Sequence, residues 1–589
     1  MKQRTVMEVF DDTAKRRASA PALRVKRGGN WQTTTWSEYV EQTRLAARGF
    51  IKLGLAAGQG VSIIGFNCPE WAIADMAAIY AGGFPAGIYT TNSPDQCLYI
   101  AEHSDSAIAV VENAEQLAKF KEIRDKLPKL QAIVMMTGND ADPGVYAWED
   151  LLAKGKELPE AELDARIAAQ KPEDVCTLIY TSGTTGNPKA VMITHDNITW
   201  TAQAALNALG SRSDDQLISY LPLSHIAEQI VSLHGPMVGG ACTSFAESID
   251  KLGDNLREVR PTIFLAVPRV WEKIQAKITE AGSKNTGLKK KIGAWARKQG
   301  LAGGYAQQQG KSLPLLYGIA DKLVFSKVRA QLGLDRCRVQ ITSAAPISKS
   351  TLEFFLSLGV PIMEVYGMSE CSGPATISLP HRYRTASVGW VLPGAEIKIA
   401  EDGEICMRGR HVFKGYYKNE AVTAEALDED GWLHSGDIGK LDAEGFVRIT
   451  DRKKDILITA GGENIAPQLL EGMLKSIGPI SQVVVVGDRR KFLAALVTID
   501  ELKLEQLAKD AGSTARDLAA AADCSKIQAF LMAEVEKVNK QLARVQTIKK
   551  IKILPVELTI EGGELTPTMK VKRKIVNKKY ASEVEALYA

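Results

Sequence analysis

Tyr180-Thr-Ser-Gly-Thr-Thr-Gly-Asn-Pro-Lys-Ala190 is the stretch on which the reading of this chain turns. It packs four Ser/Thr hydroxyls, two glycines and a lysine into one loop. Such a loop suits a triphosphate: glycines let the backbone approach closely, hydroxyls and N–H groups donate hydrogen bonds, and Lys189 brings positive charge. It is not a Walker A loop. Two residues rather than four separate Gly183 from Gly186, and Lys189 is followed by Ala190 rather than Ser or Thr. A polar surface loop is the bland alternative. Against it stand the apolar runs on either side, Val175 to Tyr180 and Ala190 to Ile193. A loop held between two buried strands is a common place for function.

Outward from this loop, short apolar runs alternate with helical patterns. Examples are Val61–Phe66, Ala107–Val111, Ala132–Met136 and Thr262–Val267. Strands spaced by helices predict an α/β fold whose large N-terminal region holds mixed, mostly parallel sheets. His195-Asp196 opens a helix, with Asp196 or Asn197 as the expected N-cap. From Val391 to Thr450 the pattern shortens to β segments with turns at Glu401–Glu404 and Asp442–Phe446, a small β-rich subdomain over 391–450. The charged run Asp451-Arg-Lys-Lys-Asp455 marks the expected boundary between an N-terminal domain, 1–451, and a mobile α+β C-terminal domain, 452–589.

The bulk numbers fit this division. A chain of 589 residues is too long for one core, and 45% hydrophobic with 24% charged residues describes a globular protein. A net charge of +4 gives no reason to expect nucleic acid as partner. Eight scattered cysteines without a C-x-x-C pair argue against disulfides and zinc and fit a reducing, cytoplasmic location. Acids sit where a signal peptide would have its apolar core, and the most apolar stretch, Trp71–Thr91, is broken by Asp75, Gly82, Gly83 and Pro85. That stretch reads as a buried helix and strand. Residues 284–338 read as an inserted helical pair with one basic face. A solvated charged surface is its ordinary explanation, and peripheral contact with an anionic membrane or a carrier phosphate is the alternative.

Polar clusters recur at the ends of apolar runs: Leu221-Pro-Leu-Ser-His-Ile-Ala-Glu228, Thr342-Ser-Ala-Ala-Pro346, Glu364-Val-Tyr-Gly-Met-Ser-Glu370, Trp432-Leu-His-Ser-Gly-Asp437, Asp451–Asp455 and Gly562–Arg573. With the Tyr180 loop, and in this order, they resemble the acyl-adenylate-forming enzymes over nearly the whole chain. Asn67-Cys-Pro-Glu-Trp71, Gly87-Ile-Tyr-Thr-Thr-Asn-Ser93, Val267-Pro-Arg-Val-Trp-Glu272 and Asp451–Asn464 are similar to the long-chain fatty acyl-CoA synthetases of the bubblegum type.

The resemblance implies a two-step reaction on a fatty acid, ATP and coenzyme A, with Mg2+ assisting. It implies that Thr181, Ser182, Gly183, Thr184, Thr185, Gly186 and Lys189 cradle the phosphates, and that Glu370, with Thr181, holds magnesium. Ser343, Ala344 and Ala345 would line the adenine, Tyr366 would stack on it, and Gly367 and Ser369 would lie alongside. Asp437 and Arg452 would hold the ribose, and His225 would sit by the carboxylate end of the acyl pocket. Lys570 is the candidate catalytic lysine. The ending T-M-K-V-K-R departs from the family's commoner S-G-K-I-x-R and leaves Lys572 as a rival. Lys454 matches the hinge. Trp271 matches an acyl gate, although an apolar core tryptophan is the expectation from bulk chemistry. Ala190 stands where many relatives have glycine, which matters if the backbone there needs a positive φ.

The first rival reading is an acyl-AMP ligase or carrier-protein synthetase with the same adenylation site. An amino-acid-adenylating enzyme is disfavoured, because Leu221–His225 holds no aspartate to meet an ammonium group. A non-catalytic acyl- or nucleotide-binding relative is disfavoured by Lys189, Glu370, Asp437, Arg452 and Lys570 all being present.

Overall fold

The computed structural model describes residues 1–181, 187–461, 463–566 and 570–589. Its centre is an eight-stranded sheet. Six strands run parallel, in the order Val175–Thr181, Phe84–Ile88, Gly60–Ile64, Ile108–Val111, Ala132–Met135 and Val145–Ala147. Lys189–Thr194 and Gly415–Tyr416 add an antiparallel edge. The parallel strands are continuous apolar runs because both faces are covered, and the Gly60 and Ile108 strands are buried at every position. The helix Pro69–Tyr80 and the strand Phe84–Ile88 are likewise wholly buried, as expected of Trp71–Thr91.

A second sheet of five strands begins with the parallel pair Ile263–Ala266 and Val339–Thr342, then adds Ile362–Met368, Gly373–Ile377 and Trp390–Val391. A third, of four strands, holds Gln216–Ser219 and Cys242–Phe245 beside the hairpin Pro21–Thr35. The helix His195–Leu209 is capped by Thr194, not by Asp196 or Asn197. The Thr194 hydroxyl accepts from Asn197 N, and the Asn197 side chain accepts from Thr194 N in return. The cap lies two residues upstream of Asp196 and three upstream of Asn197.

The β-rich part is an antiparallel sheet of Glu396–Ile399, Glu404–Arg408, Leu433–Leu441 and Val447–Arg452. Its limits differ from 391–450 in two ways: Trp390–Val391 pairs with the five-stranded sheet, and Gly415–Tyr416 leaves to join the large one. Its inner face, with Ile405, Met407, Leu433 and Val447, shares the core of the large region. Beyond residue 457 a separate core forms around the sheet Ile480–Val486, Leu493–Ile499 and Ile548–Ile553. Between the two cores lies the turn 452–456, closed by bonds from Asp455 N and Ile456 N to Arg452 O.

Candidate active site

Several candidate residues, Thr181, Ser343 and Ser369 among them, stand at or just beyond the carboxyl ends of strands, where open α/β sheets place their ligands. Thr181 ends its strand directly opposite Lys189, and its hydroxyl donates to Lys189 O at 3.4 Å. Ser182, Gly183, Thr184, Thr185 and Gly186 lie outside the described residues. Ala190 is a buried strand residue paired with Tyr180, and it is not among the residues of positive φ. Its methyl is therefore accommodated without strain.

One residue joins the loop to the acidic end of the site. Tyr416 donates from its hydroxyl to Glu370 Oε1 at 2.8 Å, while the Lys189 ammonium stands 4.8 Å from the centre of its ring. Glu370 is buried in the turn Ser369–Cys371, and Phe413 N donates to its carbonyl. Tyr416 was not singled out in the sequence. The signal available was Lys414-Gly-Tyr-Tyr417, a short edge strand that the Tyr180 loop recruits from a distance of more than two hundred residues.

Ser343 follows the strand Val339–Thr342 and donates to Val365 O at 2.9 Å, which ties the Ser343–Pro346 turn to the strand carrying Tyr366. Ala344 and Ala345 are half-buried, and Ala344 adopts φ 73°, a left-handed conformation rare for alanine. Gly367 is required by packing: a Cβ there would stand 1.7 Å from Gly373 O, where two antiparallel strands cross a bulge. Ser369 is buried at the start of the following turn.

Tyr366 donates to Asp437 Oδ2 at 2.8 Å, and the Arg452 guanidinium lies 3.2 Å from Asp437 Oδ1. Asp437 and Arg452 are direct cross-strand partners, so the antiparallel register alone sets that pair. Lys454 is exposed in the turn 452–456, beside Lys453, whose ammonium pairs with Asp402 at 2.6 Å and Glu404 at 3.0 Å.

His225 caps the short helix Ile226–Gln229, its Nδ1 accepting from Ala227 N at 3.2 Å. That bond places its proton on Nε2. Burial, and then the charge of Lys570, lowers its pKa to about 4, so it is neutral at physiological pH. The loop carrying it rests on a buried polar network. Glu228 accepts from Ser219 Oγ at 2.6 Å and Ser232 Oγ at 2.7 Å, and Asn67 donates to Ser219 Oγ and to Leu221 O. Burial raises Glu228 to about 7. Glu228 and Asn67 stood in quoted motifs without an assigned part. Trp271 is fully buried, edge-on to Phe264 and Phe355, with its Nε1 donating to Ile341 O at 3.2 Å.

Lys570 reaches this site from the C-terminal part. It stands in a hairpin closed by the Leu565–Val571 bridge and by bonds from Thr566 N to Lys570 O and from Lys572 N to Glu564 O. Burial, and then the charge of Arg452, lowers its pKa to about 8, against the opposing charges of Asp437 and Glu370. The ammonium is thus within electrostatic reach of Arg452, Asp437, Glu370 and His225. Lys572 lies one step on, at the N-cap of the helix Arg573–Lys579. Arg573 then fixes that helix to the C-terminal core through Glu471 at 2.7 Å and Val485 O at 2.8 Å.

A second contact between the two parts was not foreseen. Arg269, at the start of the helix Pro268–Ser283 that carries Trp271, donates to Ser481 Oγ at 3.0 Å and lies 3.6 Å from Glu557. Its only sequence signal was the Val267-Pro-Arg-Val-Trp-Glu272 motif.

The arrangement thus has Lys189 at one end, the buried carboxylates of Glu370 and Asp437 at the other and a lysine lent by a second core, a set suited to the phosphates and sugar of a nucleotide. Residues 10–417 match the AMP-binding enzyme family and residues 454–589 match the AMP-binding enzyme C-terminal domain. The chain belongs to the AMP-binding enzyme family. It is 46% identical, over 99% of its length and 84% of the relative, to a Xenopus laevis protein named long-chain-fatty-acid–CoA ligase ACSBG2. It is 43% identical, over 100% of its length and 81% of the relative, to the Gallus gallus protein of that name. Among solved structures, the adenylation domain of a carboxylate reductase from Mycobacterium chelonae superimposes with a TM-score of 0.78 at 21% identity, covering 100% of this chain and 92% of that one. That likeness concerns the fold.

Proposed function

We propose that this protein is an ATP-dependent long-chain fatty acid:CoA ligase of the bubblegum type. The observation that carries the reading is the placing of Lys570, from the C-terminal part, among Glu370, Asp437 and His225 of the N-terminal part and Arg452 at the boundary between them. The relatives' names supply the acyl class and the acceptor.

The chemical problem of the first step is electrostatic, since a carboxylate must approach a polyanion. A carboxylate oxygen bonds to the α-phosphorus as the bond to the β-phosphate bridging oxygen breaks, giving acyl-AMP and pyrophosphate. Lys189 and the Thr181 loop hold the leaving phosphates. Lys570 sits between carboxylate and α-phosphate, where charge shifts. Asp437 and Arg452 hold the ribose, Tyr366 and the Ser343–Ala345 turn border the base, and Gly367 and Ser369 keep that strand end in place. His225, neutral with Nε2–H, donates to the acyl carboxylate without adding charge. Glu370 fits a magnesium site: it is buried, one oxygen is occupied by Tyr416, and Oε2 remains as a hard ligand, with Thr181 as second candidate. Bound there, the ion would supply charge neutralisation to the phosphates.

In the second step the coenzyme A thiolate attacks the acyl carbonyl and AMP leaves. The site holding Lys570 has to open for that thiol. Rotation at Lys454 of the part beyond it would withdraw the lysine and admit the thiol. Trp271, now fixed by Ile341 O, acts as a gate only if that bond breaks when the acyl chain enters.

The test is a chain-length series of fatty acids with and without coenzyme A, following pyrophosphate and thioester separately. The reading expects thioester from palmitate-like acids well above acetate. Pyrophosphate without thioester would favour the carrier-protein alternative.

A further inference from the structure

The basic helical insertion hides a second property that its sequence pattern did not show. Residues 284–329 hold ten Lys or Arg and one acid, although the whole chain has a net charge of only +4, so the remainder is net acidic. The one acid, Asp321, is paired with Arg329 at 2.8 Å. Lys289, Lys290, Lys291, Lys311, Lys322 and Lys327 are exposed and form no ion pair among the described residues.

The same insertion exposes large apolar side chains. The loop Lys311–Leu316 runs into the helical stretch Tyr317–Leu332. Its inward side chains Ala320 and Phe325 pack on Ala296 of the helix Gly287–Gln308, with Tyr317 against them. Its outward stripe is Leu316, Ile319 and Leu323, spaced by three and four residues, with Leu315 fully exposed at 100% beside it. A folded chain does not ordinarily present such a stripe to water. Phosphates of a nucleic acid would meet the lysines but leave the leucines unused.

From this charge and apolar complementarity we propose that the outward face of 311–327 docks on an anionic lipid bilayer, the leucines entering the headgroup boundary and Lys311, Lys322 and Lys327 meeting lipid phosphates and carboxylates. Its contacts include the helix Gly287–Gln308 and an ion pair within the insertion itself, and the inference does not depend on the reaction assigned above.

The test uses the full chain with phosphatidylcholine vesicles, either plain or containing about a third phosphatidylserine. Expected is sedimentation with the anionic vesicles only, weakened by added salt. A Leu315→Glu/Leu316→Glu/Ile319→Glu variant should lose at least about tenfold in vesicle affinity. All three positions are exposed, so its circular dichroism and its pyrophosphate release with fatty acid in solution should match the parent. The proposal is overturned if the parent stays in the supernatant, or if the variant binds equally well. It is also overturned if the parent is a dimer that the variant splits, which would make the stripe a contact between copies.

Discussion

The Tyr416 hydroxyl donates to Glu370 Oε1 at 2.8 Å while its ring lies beneath the Lys189 ammonium. One side chain therefore orients both the carboxylate assigned to magnesium and the lysine assigned to the phosphates. Tyr416→Phe keeps the ring and loses the hydroxyl. A hydrogen bond to a charged group is worth about 1.5–3 kcal/mol, so kcat/KM for ATP should fall about tenfold or more and the magnesium requirement should rise. Tyr416→Leu, which also removes the ring, should be worse at every magnesium concentration. Equal kinetics for parent and Tyr416→Phe would show that Glu370 needs no such support.

Arg269 spans the two parts through Ser481 and Glu557. If it steadies the arrangement in which Lys570 enters the site, Arg269→Ala should slow pyrophosphate release and spare conversion of supplied acyl-AMP to thioester. Reversing the pair, Arg269→Glu with Glu557→Arg, should restore part of the first rate. Both half-reactions falling together would make the residue a simple structural contact.

The pH behaviour follows from two half-buried bases. Lys570 is lowered to about 8 from 10.5, first by burial and then by Arg452. Adenylation by the free enzyme needs its charge, so kcat/KM for that step should decline as pH rises through about 8. Stability moves the other way: between about 8 and 10.5 the unfolded chain binds the proton more tightly, so this lysine makes the fold more stable as pH rises. His225 is held neutral down to about 4 against an ordinary 6.5, so its contribution is lost as pH falls through that window. Rate and denaturation profiles of the parent and of Lys570→Met separate the two effects.

Backbone conformation gives an opposite pair of glycine predictions. Ala344 has φ 73°, and relieving a left-handed alanine should make Ala344→Gly more stable by about 1 kcal/mol, read as a higher denaturant midpoint. Gly367→Ala would drive a methyl to 1.7 Å from Gly373 O and should cost the fold around Tyr366.

Much of the sheet was legible because buried parallel strands are mostly apolar along their whole length, as Val61–Ile64, with Ser62 its one polar residue, and Ile108–Val111 show. The Thr194 cap was missed because an N-cap lies outside the helical period it begins. Val391 and Gly415–Tyr416 fall inside the expected bounds 391–450 yet join other sheets, because nothing local says which sheet a two-residue strand will join. The charged site residues were legible through motif order. Their supports were not: Tyr416, Arg269 and Asn67 act through partners far along the chain, and only packing brings those together. Residues 315–323 lie in the stretch that reads as a helical pair with one basic face; only burial shows that their apolar stripe faces outward.

In this mechanism Lys570 serves the first half-reaction only. The decisive measurement is the rate of each half-reaction in Lys570→Ala, pyrophosphate release from fatty acid and ATP on one side and thioester from supplied acyl-AMP and coenzyme A on the other. The account predicts that adenylation falls by about a hundredfold or more, in line with loss of one preorganised charge at a reacting centre, while thioester formation stays near the parent's rate. Adenylation at the parent's rate would contradict it.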